Sequence, residues 1–415
     1  MNAPDRLALS SVLGALSMSY APLVDHARHA FGTRLTMLSV TPRERPPIGL
    51  MLEPLSELGP EGGAPVLVAP LDADLDDSLL EWHAPASAIL EIPAVALRDP
   101  DVQGLVQRAR RRGIRLAMRG NPGVSLPPAL IGCFEFALIH VTEDRRLRAD
   151  GTIVPPPPGV TRKVPFIITG VFRRADLDSA YQRGAIGSVG APVDEAGPTV
   201  ERPLQPSQSV VLGLLRLAHE RAELDRMEGL VRRDPPLMFE LLRLVGRSDD
   251  AVPAHVSSVR RALQALDHAG LTRWLARVLR FAIADGHAAP LAHTATRRAL
   301  FLERLADCAP AGGDLRDALF LTGAFSLLDR TTGTSFDRLL QRAALPAGVA
   351  DALIARSGPC AAYLGLVEAI ERNDLIGGGE RRASVGVTAL DCNVALLRAL
   401  AAASAAEIEG PAGAL

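Results

Sequence analysis

Chemistry in a protein needs particular side chains at particular spacings, and in this chain of 415 residues the histidines, cysteines and glycine runs are where it would first show. His219, His255, His287 and His293 are scattered through the second half, and Asp267-His268 stands without visible companions. A metal site needs several nitrogen or oxygen ligands converging with support behind them, so these histidines read as surface or core residues. The four cysteines, Cys133, Cys308, Cys360 and Cys392, are far apart and lack CxxC spacing, which reads as free buried thiols and not as a zinc ribbon or a disulfide framework. No G-x-S-x-G elbow, P-loop or H-E-x-x-H is present. Gly377-Gly378-Gly379 follows helical sequence and reads as a flexible turn. Arg110, Arg111 and Arg112 could hold an anion, but such a run reads first as a solvated helix end.

The elements that would have to position any site fall into two halves. The first alternates short apolar runs with helical segments, the rhythm of βα units packed into one sheet or barrel. Its candidate strands are Leu35–Val40, Pro65–Ala69, Ala88–Ile92, Ile114–Met118, Phe134–Val141 and Val164–Val171. Several are almost continuously apolar, as strands covered on both faces are. Between two of them Val102, Leu105, Val106 and Ala109 share a helical face before Gly113 ends the helix. Pro155–Pro158 reads as an extended loop.

After Ala191-Pro192-Val193 a polar, proline-bearing stretch leads to Gln208, and strand signals disappear. Asp234 before Pro235 and Pro236 predicts an N-cap, followed by a Met238, Leu241, Leu242, Val245 stripe. Ser257 or Ser258 can cap the next helix, with Val259, Ala262, Leu263 and Leu266 on one face. Leu271, Trp274, Leu275 and Val278 repeat the spacing. Further helices are expected around Thr296–Ala306, Leu315–Leu328, Phe336–Ala343, Val349–Ala355 and Tyr363–Arg372. The end from about Ala401 reads as frayed or as a short helix with a loose tail.

Composition narrows the class. The chain is 48% hydrophobic with a formal net charge of -2, which describes an ordinary globular protein and gives nucleic-acid binding no support. Single cores rarely grow beyond about 250–300 residues, so more than one domain is expected. The N-terminus lacks the order of a secretory signal, and no apolar run reaches the roughly 18–20 residues that cross a bilayer. A cytoplasmic protein without membrane insertion is the expectation.

Val231–Arg247, Val256–Leu266, Leu271–Leu279, Arg297–Ala306, Leu319–Arg330 and the stretch ending at Glu371 together resemble, in order, an HDOD domain. HDOD domains lack the histidine and aspartate set of the related HD phosphohydrolases, and the second half has no adjacent His-Asp pair. In front of it, Ile89-Leu90-Glu91-Ile92 resembles the L-E-I strand of EAL-type cyclic di-GMP phosphodiesterases. Gly113–Met118 resembles the strand leading to that family's paired aspartates, Phe166–Val171 its later glutamate strand, and Gly184–Pro192 its closing strand. The resemblance runs over Thr33–Val193, short of a complete barrel. The whole is similar to the EAL-HDOD signalling family. It implies an α/β barrel over residues 1–198, an all-helical HDOD domain over 199–396 and a low-complexity tail over 397–415.

An EAL phosphodiesterase holds two divalent cations with carboxylates and an asparagine, and the metals generate hydroxide and neutralise the phosphodiester. On this resemblance the paired aspartates are replaced by Arg119 and Gly120. Leu138 stands near the family's lysine, His140 near its next aspartate, Thr169 at its glutamate and Val189 at its closing glutamine. Thr33–Thr41 contains no acid, so Glu91 is the one family carboxylate left. Glu91 either pairs with a neighbour such as Arg119 or remains in a ligand-binding mouth. The resemblance thus implies a degenerate barrel with no catalytic residues, metal or cofactor: a non-enzymatic scaffold that binds protein partners in a signalling pathway. The alternative is a metal-independent sensor of cyclic di-GMP or another nucleotide, motivated by Arg119. Residual phosphodiesterase activity is the third reading.

Overall fold

Residues 10–27, 29–40, 46–60, 63–121, 126–143, 164–171, 174–190, 206–246, 258–279, 289–308, 313–340 and 345–408 are described by a computed structural model. Pro155–Pro158 lies outside them. The chain divides into two compact units, Met1–Glu195 and Ala196–Leu415.

In the first unit the apolar runs become eight strands of one closed barrel, arranged in chain order. They are β1 Leu16–Asp25, β2 Ala30–Ser39, β3 Val66–Pro70, β4 Ala88–Pro93, β5 Arg115–Arg119, β6 Ala137–His140, β7 Phe166–Thr169 and β8 Gly187–Val189. From β2 to β8 neighbours are parallel, whereas β1 runs antiparallel to both β2 and β8. The barrel is therefore complete, which corrects the expectation that it falls short. The strand not foreseen is β1: Leu16–Asp25 mixes Ser17, Ser19 and Pro22 with its apolar residues and carries no continuous run. It belongs to the sheet because closure leaves neither β2 nor β8 with an unpaired edge.

Alternation sorts the strand side chains. Leu23, Leu67, Ile89, Ala117, Leu138, Ile167 and Val189, one from each strand except β2, pack into one buried cluster with Phe136 and fill the barrel interior. Ala137, Phe166 and Ile168 point the other way and pack against Leu177 and Ala180 of the helix Arg174–Gln182. The helix between β4 and β5 is Pro100–Arg111, with Asp99 accepting from the Asp101 N–H and Leu105, Val106 and Ala109 buried.

The second unit is helical. Asp234 caps the helix Pro235–Val245 by accepting from the Leu237 N–H, and Ser258 caps Val259–Gln264, as their sequence predicts. The helices Ala289–Ala306, Gly313–Phe325 and Gly358–Glu371 pack together, and buried Arg298 joins them: Nε and Nη2 donate to Glu371, and Nη1 donates to Ser326 Oγ.

Two expectations are corrected here. Gly377-Gly378-Gly379 is no turn but part of the helix Leu375–Ser384. Asp374 caps that helix through the Gly377 N–H, and a Cβ at Gly377 would lie 2.2 Å from the Asp374 carboxylate, so the glycine leaves room for the cap. Residues 401–408 are not frayed but continue the helix Ala389–Ile408, because alanine is the best helix former, and the rest of the expected tail lies outside the described residues. Among the described residues no single helix is long and apolar enough to cross a membrane.

Candidate functional site

In a parallel barrel the side chains able to act on a ligand gather at the carboxyl ends of the strands. Glu91 lies in the second half of β4, and Arg119 is the last residue of β5. The register pairs Glu91 with Ala117 and Pro93 with Arg119. Since Ile89 and Ala117 face the interior, alternation turns Glu91 and Arg119 to the same inner face as diagonal neighbours. Arg119 Nε stands 3.6 Å from Glu91 Oε2, a charge contact longer than a hydrogen bond.

The main partner of Glu91 is a residue that sequence reasoning missed. Arg34 of β2 is level with Leu67 of β3, which is level with Ile89 of β4. Its guanidinium reaches past β3 to grip Glu91 with both prongs, Nε to Oε1 at 2.6 Å and Nη2 to Oε2 at 2.8 Å. The Glu91 side chain is 1% exposed, that of Arg34 19% and that of Arg119 27%. A carboxylate taken that far out of water must be neutralised, and a bidentate arginine does this best.

Two cations face one anion, so the group carries one positive charge in excess. Burial opposes the charge on Arg34, but the hydrogen bonds and charge of Glu91 outweigh it and hold the guanidinium above its usual range. Burial pushes Arg119 the other way, to below the usual arginine range; the charge of Glu91 counters this and that of Arg34 adds to it. Arginine stays protonated through such shifts. Arg119 Nε is buried without a hydrogen-bond partner.

Of the remaining positions, Leu138 and Val189 are in the apolar interior. His140 and Thr169 end β6 and β7 and are level with each other. His140 Nδ1 accepts from the Thr142 N–H at 3.3 Å and lies 2.7 Å from Thr142 Oγ1. A Cβ at Gly170, where φ is +76°, would lie 2.2 Å from His140 Nε2, so glycine both permits the backbone turn and makes room for the ring. Gly120, at φ +86°, turns the chain after Arg119 and donates its N–H to the Leu138 carbonyl at 2.7 Å.

The two divalent cations that an EAL phosphodiesterase holds do not fit at Glu91. Both of its oxygens are held by Arg34, and a second guanidinium is 3.6 Å away, so a cation would enter against two positive charges. Among the described residues no group of three acidic, histidine or cysteine side chains could hold a metal ion.

No family model matches the chain. Over 200 residues, 48% of this chain and 46% of the relative, it is 28% identical to the cyclic di-GMP phosphodiesterase CdgJ of Vibrio cholerae serotype O1, so the match spans less than half of that protein's length. Among solved structures it is similar to the MmoQ response regulator from Methylococcus capsulatus strain Bath, with 21% identity and a TM-score of 0.36 over 48% of this chain and 98% of that one. It is also similar to the EAL domain of FimX from Pseudomonas aeruginosa bound to c-di-GMP, with 13% identity and a TM-score of 0.31 over 46% of this chain and 95% of that one. The match to CdgJ overturns the expectation of a non-enzymatic chain, because that relative bears the name of an enzyme.

Proposed function

We propose that the chain works in cyclic di-GMP signalling and that the mouth of its barrel receives the cyclic dinucleotide. The observation that carries the reading is the positive excess of Arg34 and Arg119 over Glu91 at the carboxyl ends of parallel strands. A phosphodiester is the anion such a site suits, because a guanidinium presents paired N–H donors to two phosphate oxygens. The likeness to a relative named for cyclic di-GMP supports the choice of ligand. The helical unit, which resembles an HDOD domain, is in this reading the half that meets protein partners.

Calorimetric titration of the full chain with cyclic di-GMP tests the proposal. Micromolar or tighter binding is expected, falling at least about tenfold in Arg119→Ala, the worth of one charge-assisted contact. No heat at high ligand concentration would remove the mouth as a nucleotide site. Chromatography of the same mixtures with magnesium or manganese measures turnover, since hydrolysis of one phosphodiester converts the ring to a linear dinucleotide.

A further inference from the structure

We propose that Arg119 takes the place of a divalent cation at this mouth, receiving the ligand's phosphate without metal, and that Glu91 is the internal counter-anion with which the phosphate competes. The inference rests on the reading of the mouth as a phosphodiester site and specifies how that site works.

The two guanidiniums are committed differently. Arg34 is spent: two of its donors hold both oxygens of Glu91 at 2.6 and 2.8 Å. Arg119 is held by charge and not by a hydrogen bond to Glu91, at 3.6 Å, and its Nε is buried without a hydrogen-bond partner. A buried donor with no acceptor is costly, and a phosphate oxygen would relieve that cost while adding the second negative charge the group lacks. Arg119 is the last residue of β5 and Gly120 follows it at φ +86°, where a Cβ would lie 3.8 Å from the Glu143 carboxylate.

Glu91 then has a role opposite to that of a metal ligand. In a metal centre the carboxylate recruits the cation that holds the phosphate, so removing its charge weakens binding. Here the cation is covalently part of the chain, and Glu91 both anchors Arg34 and repels the incoming anion. Removing its charge while keeping an acceptor for Arg34 leaves both guanidiniums to the phosphate. The sign of the Glu91→Gln effect therefore separates the two mechanisms.

The experiment is calorimetric titration of the full chain with cyclic di-GMP, in EDTA and in magnesium, for the wild type, Glu91→Gln and Arg119→Ala, with thermal melts to show that each variant is folded. The expected result is the same affinity with and without metal, about tenfold tighter binding in Glu91→Gln, and at least about tenfold weaker binding in Arg119→Ala. Binding that requires magnesium, or that a folded Glu91→Gln loses, overturns the inference and leaves the mouth as a cyclic dinucleotide site. If Glu91→Gln does not fold, the comparison of EDTA with magnesium and the Arg119→Ala titration decide alone. Absence of binding by the wild type in either condition overturns the functional reading, and this inference with it.

Discussion

At the scale of single residues the Arg34–Glu91 pair is the feature on which most depends. Breaking a buried ion pair strands a charge, whereas replacing both members by apolar groups is often tolerated. Arg34→Met leaves Glu91 with only the longer charge contact to Arg119 and is expected to lower the unfolding free energy by about 3 kcal/mol, the low end for a broken buried pair, and Arg34→Met with Glu91→Leu to recover part of that loss. Chemical denaturation measures both, and a single-variant cost near zero would mean that Glu91 is not buried on Arg34. Glu91 and Arg119 were legible in the sequence because they fall at recognisable positions of the resemblance. Arg34 was not, since it falls at none of the positions that carry the resemblance. A signal was available: a charged residue inside a strand covered on both faces has to find a buried partner, and Glu91 is of the complementary kind.

At the scale of elements, Asp234 shows how one side chain orders two helices. One oxygen accepts from the Leu237 N–H at 3.0 Å and the other from the Ser207 N–H at 2.5 Å, just before the helix Gln208–His219. Burial pushes its carboxyl up to about 6 against those two hydrogen bonds. A carboxyl raised on folding favours the protonated native state. The stability it contributes is therefore full below the ordinary carboxylate range and is lost as pH rises through it toward about 6. Asp234→Asn is expected to flatten that part of the stability profile, and denaturation at a series of pH values reads the slope. The helices Ala289–Ala306 and Gly313–Phe325 approach so closely at Gly323 that a Cβ there would lie 2.5 Å from the Ala299 nitrogen. Gly323→Ala is expected to cost about 1–3 kcal/mol by overpacking, seen as a lowered melting temperature; an unchanged melt would mean that the helices can separate freely.

At the scale of the whole molecule, the closed barrel and the helical unit each hold their own core, so each is expected to fold by itself. Residues 196–415 expressed alone should give a helical circular dichroism spectrum and one cooperative melt; a gradual loss of signal would contradict this. Removing β1 should have the opposite outcome for the first unit, because β2 and β8 would each gain an open edge. Aggregation of a variant lacking residues 1–29 checks it by size-exclusion chromatography, and a monomeric product would show that closure is dispensable.

The element types and their order follow from local pattern. Continuous apolar runs such as Val66–Pro70 suit a strand with both faces covered, and the Asp234-Pro235-Pro236 start suits a helix N-cap with proline in the first turn. The same sequence read alone misplaced Gly377–Gly379, because a cap such as Asp374 overrides weak intrinsic propensity. Closure by β1 and the pairing of Arg34 with Glu91 were decided only in three dimensions. Both join residues far apart in the chain, and nothing in a local window records which strand lies two places away around a barrel or how far an arginine on it can reach.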